Sequence, residues 1–272
     1  LNNQKGDVVN AGDSLYIEAT SITQADGARA RVDAVNNLYG AETAIGDDLV
    51  IAAKAKGTTG EIKSYAVYNY QSEFKTGANA VITTSAAGNV DNSNVNAWAV
   101  INQDNSQTTF GDNVKIQARA SESGLSVALY STGGAVTNAL AAGKDKILIG
   151  DMYSNSDGQI NVLLDTADSL FEGAALIGTA GGEINFTMSD LSLWRMLGDS
   201  SVTALAVSSG AIVDMTQYDD YQQLEISELS GSGGEFIMKT DLASETDGDK
   251  LYVTDAAAGK RRQYYQWCGC DR

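Results

Sequence analysis

The sequence contains no proline in 272 residues, where average usage of about 5% predicts roughly 14. Proline cannot donate to a β-ladder, so a chain that is nearly all paired strand excludes it. Histidine is absent too. That removes Ser-His-Asp and Cys-His nucleophile systems, and with them the commonest metal ligand. The two cysteines, Cys268 and Cys270, form a C-x-C pair at the C-terminal end, with no second half elsewhere for zinc. No apolar run reaches the roughly 18–20 residues of a membrane-spanning helix. Positive charge is scarce: 18 Lys and Arg face 35 Asp and Glu, for a net charge of −17. Nucleic acid and anionic membrane surfaces select basic patches, so neither is an expected partner. Aromatic residues are few, at 7%, which favours a thin structure over a thick globular core.

What is present is a repeat. Hydrophobic residues make up 43% of the chain and charged residues 19%, enough for a packed core in one large domain or two modest ones. Gly12, Gly46, Gly77, Gly111 and Gly143 follow one another at steps of 34, 31, 34 and 32 residues. Five residues after each glycine come Ile17, Ile51, Ile82, Ile116 and Leu148. Three after come Leu15, Leu49, Ala80, Val114 and Lys146, and seven after come Ala19, Ala53, Thr84, Ala118 and Gly150. Inward positions at odd offsets are the period-2 signature of strands. Lys146 breaks its column.

Each unit holds a second strand-like run, at 28–35, 63–70, 95–102, 124–131 and 159–166, and a third short run before the next glycine. Three strands per unit with one matching column per turn predict an all-β fold: a right-handed single-stranded parallel β-helix, a solenoid of three-strand coils with a C-terminal β-cap. Coils stack at about 4.8 Å, so like side chains form an interior ladder. A βαβ reading fails because no capped 3.6-period stripe of helix length exists. An antiparallel sandwich does not explain in-phase columns.

The glycines fit the corner before each strand, where φ > 0 is free to them. The neighbouring Asp13, Asp47, Asp48, Asn79, Asp112, Asn113 and Asp145 then run down one edge. They read as turn residues, since the calcium-binding β-roll repeat is absent. The organisation expected is β-helix repeats over 1–190, an atypical end region over 191–255, and a basic, aromatic tail over 256–272 appended to the fold. The opening "LNNQKGDVVN" reads as mid-protein, so the chain is expected to be an excised fragment without signal peptide.

The end region carries Trp194, Gly198-Asp199-Ser200-Ser201-Val202 and Leu205. These are followed by Leu229-Ser230-Gly231-Ser232-Gly233 with Phe236, and then Asp249-Lys250-Leu251. This combination resembles the C-terminal end of pertactin-like autotransporter passenger domains, the β-helical segment often called the autochaperone, which precedes a membrane barrel. The match covers about 65 residues, and residues after 255 depart from it. The resemblance implies a folding-nucleus role for 191–255 with Trp194, Gly198, Asp199, Leu229, Gly231, Gly233, Phe236, Asp249 and Leu251 as its signature. It also implies an outer-membrane barrel outside this chain and a place on the bacterial cell surface. The scarcity of cysteine suits a passenger that crosses the outer membrane unfolded.

No catalytic residue, metal ligand or cofactor is expected. Parallel β-helices also host polysaccharide lyases and glycosidases, so carboxylates were weighed: Asp33 with Arg29 and Arg31, Asp165 with Asp168, and Asp219-Asp220. No two of these share a repeat column. A second candidate surface is an aromatic patch of Tyr65, Tyr68, Tyr70 and Trp98 on the second strands, suited to sugar or protein contact if these side chains face outward. Expected partners are host-surface or matrix molecules, or a second copy of the chain.

Overall fold

A computed structural model describes residues 1–25, 27–89, 94–121, 124–240, 247–255 and 260–264, with the backbone alone for 255 and 260–264. Cys268 and Cys270 lie outside the described residues.

The described strands form three sheets of seven, eleven and nine strands, here named A, B and C. One coil runs through Ala30–Leu38 in sheet A, Glu42–Ile45 in sheet B and Val50–Lys56 in sheet C. The next repeats with Ile62–Tyr70, Glu73–Thr76 and Ala80–Ala87. Each strand pairs in parallel with its counterpart one coil away, and the hand is the right-handed one that parallel crossovers take. The fold class read from the sequence stands.

Parallel register stacks like residues. In sheet C, Ile17, Ile51, Ile82, Ile116, Leu148, Phe171, Trp194, Val213 and Phe236 are successive partners. From Ile51 to Val213 this column is fully buried, while Ile17 and Phe236 are half-buried at its ends. Its steps are 34, 31, 34 and 32 residues as far as Leu148, then 23, 23, 19 and 23. The first shortening comes where Ile149 of sheet C connects to Asp151 of sheet A through Gly150 alone. The corner loops of earlier coils are gone there. The second comes after Ala175–Ile177, the last strand of sheet A, beyond which the chain alternates between sheets B and C only. This change of period displaces one expected strand. The run 159–166, read as the fifth copy of the sheet A strand, is Gln159–Leu164 of sheet B; the sheet A strand is Asp151–Asn155.

Larger side chains fill the narrowed stack. Phe171, Phe186 and Trp194 are fully buried with ring centroids 5.4–5.7 Å apart. At the corner between sheets A and B the interior is polar. Asn37 donates to Asn69 at 2.8 Å and Asn69 to Asn102 at 2.9 Å, all three fully buried. Each spare amide hydrogen meets a backbone carbonyl of the next strand, as from Asn102 to Val136 at 2.7 Å. A buried amide is tolerated only when its donors and acceptors are matched in this way.

Of the five corner glycines, Gly143 takes the left-handed conformation expected of it, at φ +66°, whereas Gly12, Gly46, Gly77 and Gly111 do not. Beside those four, Ser14, Asp48, Asn79 and Asn113, each two residues later, take it instead, with φ of 51–65°, a conformation that Asp and Asn tolerate. Gly46, Gly77 and Gly111 are required by close stacking: a Cβ on Gly111 would lie against the carbonyl oxygen of Gly77. The acidic edge is bonded turn by turn. Asp47 Oδ1 accepts from Ala78 N at 2.7 Å, and Asp48 Oδ1 from Asn79 Nδ2 at 2.9 Å.

Lys146 occupies the inward column of Val114 and is fully buried. Its ammonium donates to the carbonyls of Ala141 (2.5 Å) and Lys144 (2.8 Å) and lies 3.6 Å from Asp165 Oδ1. Burial pulls its pKa below the ordinary lysine range, with the Asp165 charge opposing. Between the folded and unfolded pKa, the unfolded chain holds a proton that the folded chain has lost. Stability therefore rises with pH across that interval. The stability difference between wild type and Lys146→Met, read from urea midpoints, should move toward the wild type as pH climbs to the lysine range. A difference independent of pH would show that the ammonium is not desolvated.

Candidate functional site

The outer face of sheet A collects aromatic side chains in two columns. One is Asp33, Tyr65, Trp98 and Val127; the other is Asn36, Tyr68, Ile101, Tyr130 and Tyr153. The parity left open by the sequence is settled by burial. Ser64, Ala66, Val67 and Asn69 point inward and are fully buried, leaving Tyr65, Tyr68 and Tyr70 outward. Trp98 and Tyr130 meet edge to face at 5.2 Å, and Tyr130 and Tyr153 stack at 5.5 Å with an interplanar angle of 11°. Tyr130 and Tyr153 escaped the sequence reading, although the run 124–131 had contained the first. Tyr70 belongs to a neighbouring column and packs edge to face on Tyr39.

Charges beside this face are paired. The Arg31 guanidinium contacts both oxygens of Asp33 at 3.0 and 3.1 Å and lies 4.9 Å above the Tyr65 ring. Arg29 and Lys63 both pair with Glu61. Burial raises the phenol pKa of Tyr65 and of Tyr68.

The candidate carboxylates Asp33, Asp165, Asp219 and Asp220 are engaged by their neighbours. Asp33 is held by Arg31. Asp165 Oδ2 accepts from Gly143 N at 2.6 Å while Oδ1 faces Lys146, so it supports the point where the coils shorten. Asp219 and Asp220 offer backbone carbonyls to Lys239 Nζ at 3.3 and 2.9 Å. Among the described residues no group of three or more acidic, histidine or cysteine side chains is placed to hold a metal.

The nine signature residues of the end region lie at structural joints. Trp194 continues the sheet C ladder, and its Nε1 donates to Gly173 O at 3.1 Å. The turn at Gly198-Asp199 delivers Ser200 and Ser201, whose hydroxyls accept from Ala175 N (3.1 Å) and Ile177 N (2.9 Å). Those amides belong to the last strand of sheet A, so two serines close the edge where that sheet stops. Their hydroxyl role was not legible beforehand. Asp199 Oδ1 accepts from Gln223 N at 2.8 Å, tying this turn to the next coil. Leu229 pairs with Leu205 within sheet B and is itself exposed. Gly231 has φ of +103°, and a Cβ there would strike the Val207 carbonyl; Gly233 has φ of +75°. Phe236 ends the sheet C ladder, and Leu251 is buried against Leu224. Asp249 is fully buried between two backbone amides.

Beyond it, Lys250–Asp255 pairs antiparallel with Lys260–Tyr264. The strand 260–264 lies within the segment 256–272 that composition had set apart as a tail. Antiparallel pairing reverses the chain and covers the last edge of sheet B.

The fold is thus a parallel β-helix that narrows from three sheets to two and ends in an antiparallel pair. Residues 202–267 match the family model described as Pertactin. Over 105 residues the chain is 34% identical to "Autotransporter adhesin/invasin TibA" of Escherichia coli, a stretch covering 35% of this chain and 10% of that protein. The chain thus spans about a tenth of the length of that curated relative. No solved structure matches it. The Pertactin and TibA matches support a pertactin-like autotransporter passenger segment, and the Pertactin match runs past residue 255 through the closing strand.

Proposed function

We propose that this chain is a non-catalytic display segment of a surface-exposed adhesin or self-association factor. Coils of 1–190 act as a stalk, and 191–255 acts as the folding nucleus and end region. A barrel beyond this chain anchors the whole protein in the outer membrane, and the partners are host-surface or matrix molecules or a second copy. The observation that carries the reading is the fate of the weighed carboxylates. Asp33 pairs with Arg31, Asp165 lies beside the Lys146 ammonium, and Asp219 and Asp220 lend backbone carbonyls to Lys239. The adhesin/invasin name of the related protein supports the display half.

Incubation with a panel of polyuronates and neutral polysaccharides tests it. No new reducing ends and no unsaturated product should appear. Product above background that disappears in Asp33→Asn or Asp165→Asn would overturn the reading in favour of a carbohydrate-active enzyme.

A further inference from the structure

We propose that the outer face of sheet A is a groove that binds a neutral polysaccharide laid along the axis of the stack. The proposal deepens the display reading above and rests on it. The groove is built by a fault in the pleat. A regular strand alternates its side chains, but four successive strands of sheet A turn two consecutive residues inward: Ala34-Val35, Ala66-Val67, Ala99-Val100 and Ala128-Leu129, all fully buried. The outward residues flanking one such pair, Tyr65 and Tyr68, meet with ring centroids 6.3 Å apart. Outward side chains at the centre are nearly covered: Tyr65 keeps 8% of its exposure, Ile101 4% and Val127 4%. An outward side chain hidden from water by its neighbours forms the floor of a depression. Tyr68, Trp98, Tyr130 and Tyr153 stay half-buried around that floor.

The chemistry selects the occupant. Aromatic rings offer apolar faces to the C–H faces of pyranose rings, and phenol, amide and carboxylate tips beside them suit hydroxyl groups. Asn36 and Gln103, the latter already accepting from Tyr68 OH at 2.8 Å, supply such tips. Rungs repeat at about 4.8 Å, a step close to one sugar unit, so the ladder presents similar contacts to successive units. Neutrality follows from charge. Arg31 and Lys63, cations beside this face among the described residues, are occupied by Asp33 and Glu61, and the chain carries a net −17, so an anionic glycan meets repulsion there.

The chain is titrated with neutral oligosaccharides of graded length, and separately with a polyuronate and a sulfated glycan. Affinity electrophoresis and tryptophan fluorescence are the readouts. Neutral oligomers of about four units or longer, enough to cross about four rungs, should retard the chain and change its fluorescence, and monosaccharides should not. Trp98→Ala should weaken retardation about tenfold or more. Tyr153→Ser, at the end of the row, keeps the test valid if Trp98→Ala fails to fold. Asn161→Ala on the outer face of sheet B should leave binding unchanged. The proposal falls if no neutral oligomer binds, if the polyuronate binds as well, or if the sheet B variant loses as much. Absence of glycan binding by the wild-type chain, with cell adhesion by the displayed protein intact, would sink the groove alone. Bound glycan that is shortened would sink the display reading.

Discussion

Trp194→Ala should leave no protease-resistant C-terminal end, where the wild type is expected to keep one, and should lower stability by about 3–5 kcal/mol. The indole fills the interior between Phe171 and Phe186 in a coil with only two or three short strands, so little neighbouring chain can collapse into the space. Loss of Nε1 also leaves Gly173 O without its donor, a further cost of about 1 kcal/mol or more for a buried carbonyl. The informative comparison is Phe74→Ala, an equally buried aromatic in the third coil. Coils in a solenoid couple chiefly to their neighbours, so its damage should stay in the N-terminal coils and leave a resistant C-terminal fragment. If 191–255 is the nucleus, Trp194→Ala also slows or prevents refolding from urea, while Phe74→Ala refolds its C-terminal end at the wild-type rate. Equal refolding of the two variants, or a resistant C-terminal fragment in Trp194→Ala, would remove the nucleus role.

The architecture was legible because parallel stacking repeats one environment at a fixed interval. Ile51, Ile82 and Ile116 meet the same surroundings, so the same residue recurs. The reading weakened where the interval changed. Once a corner loop and then sheet A are lost, the step falls from 32 to 23 and 19 residues, and an alignment tuned to the longer step assigned 159–166 to the wrong sheet. The column itself continued, through Phe171 and Trp194, under larger side chains that filled a narrower interior. Gly46, Gly77 and Gly111 stand at their corners for a reason other than φ: closeness of one coil's backbone to the next leaves no mark in a single copy of the motif.

The candidate interaction face was half visible. Tyr65, Tyr68 and Trp98 stood out as aromatic, but parity was ambiguous because Ala66-Val67 and Ala99-Val100 break the alternation on which parity rests. That same break is what the proposed groove is built on. Lys146 looked like an error in its column. It is compatible with the interior because Ala141, Lys144 and Asp165 lie within reach of its ammonium, and only the fold brings Asp165 there from the next coil.

Asp249→Ala should cost about 2–6 kcal/mol, as large a loss as a polar substitution can be expected to produce in this chain. Asp249 Oδ1 accepts from Gln222 N at 2.7 Å and Oδ2 from Lys239 N at 2.6 Å. The same pair of segments is tied again through Asp249 N to Lys239 O and Lys250 N to Gln222 O, both at 2.8 Å. One buried carboxylate thus joins the start of the last sheet B strands to the segment leaving sheet C. Alanine strands two amide hydrogens, each costing about 1–3 kcal/mol when buried without a partner. Asp249→Asn is the sharper variant. It preserves size and one acceptor oxygen but turns an NH2 group toward the second amide hydrogen, so its loss should fall between alanine and wild type. Urea midpoints at constant m-value report that order. An asparagine variant as stable as the wild type would mean that one of the two amides finds another acceptor, and that the carboxylate does not hold this joint.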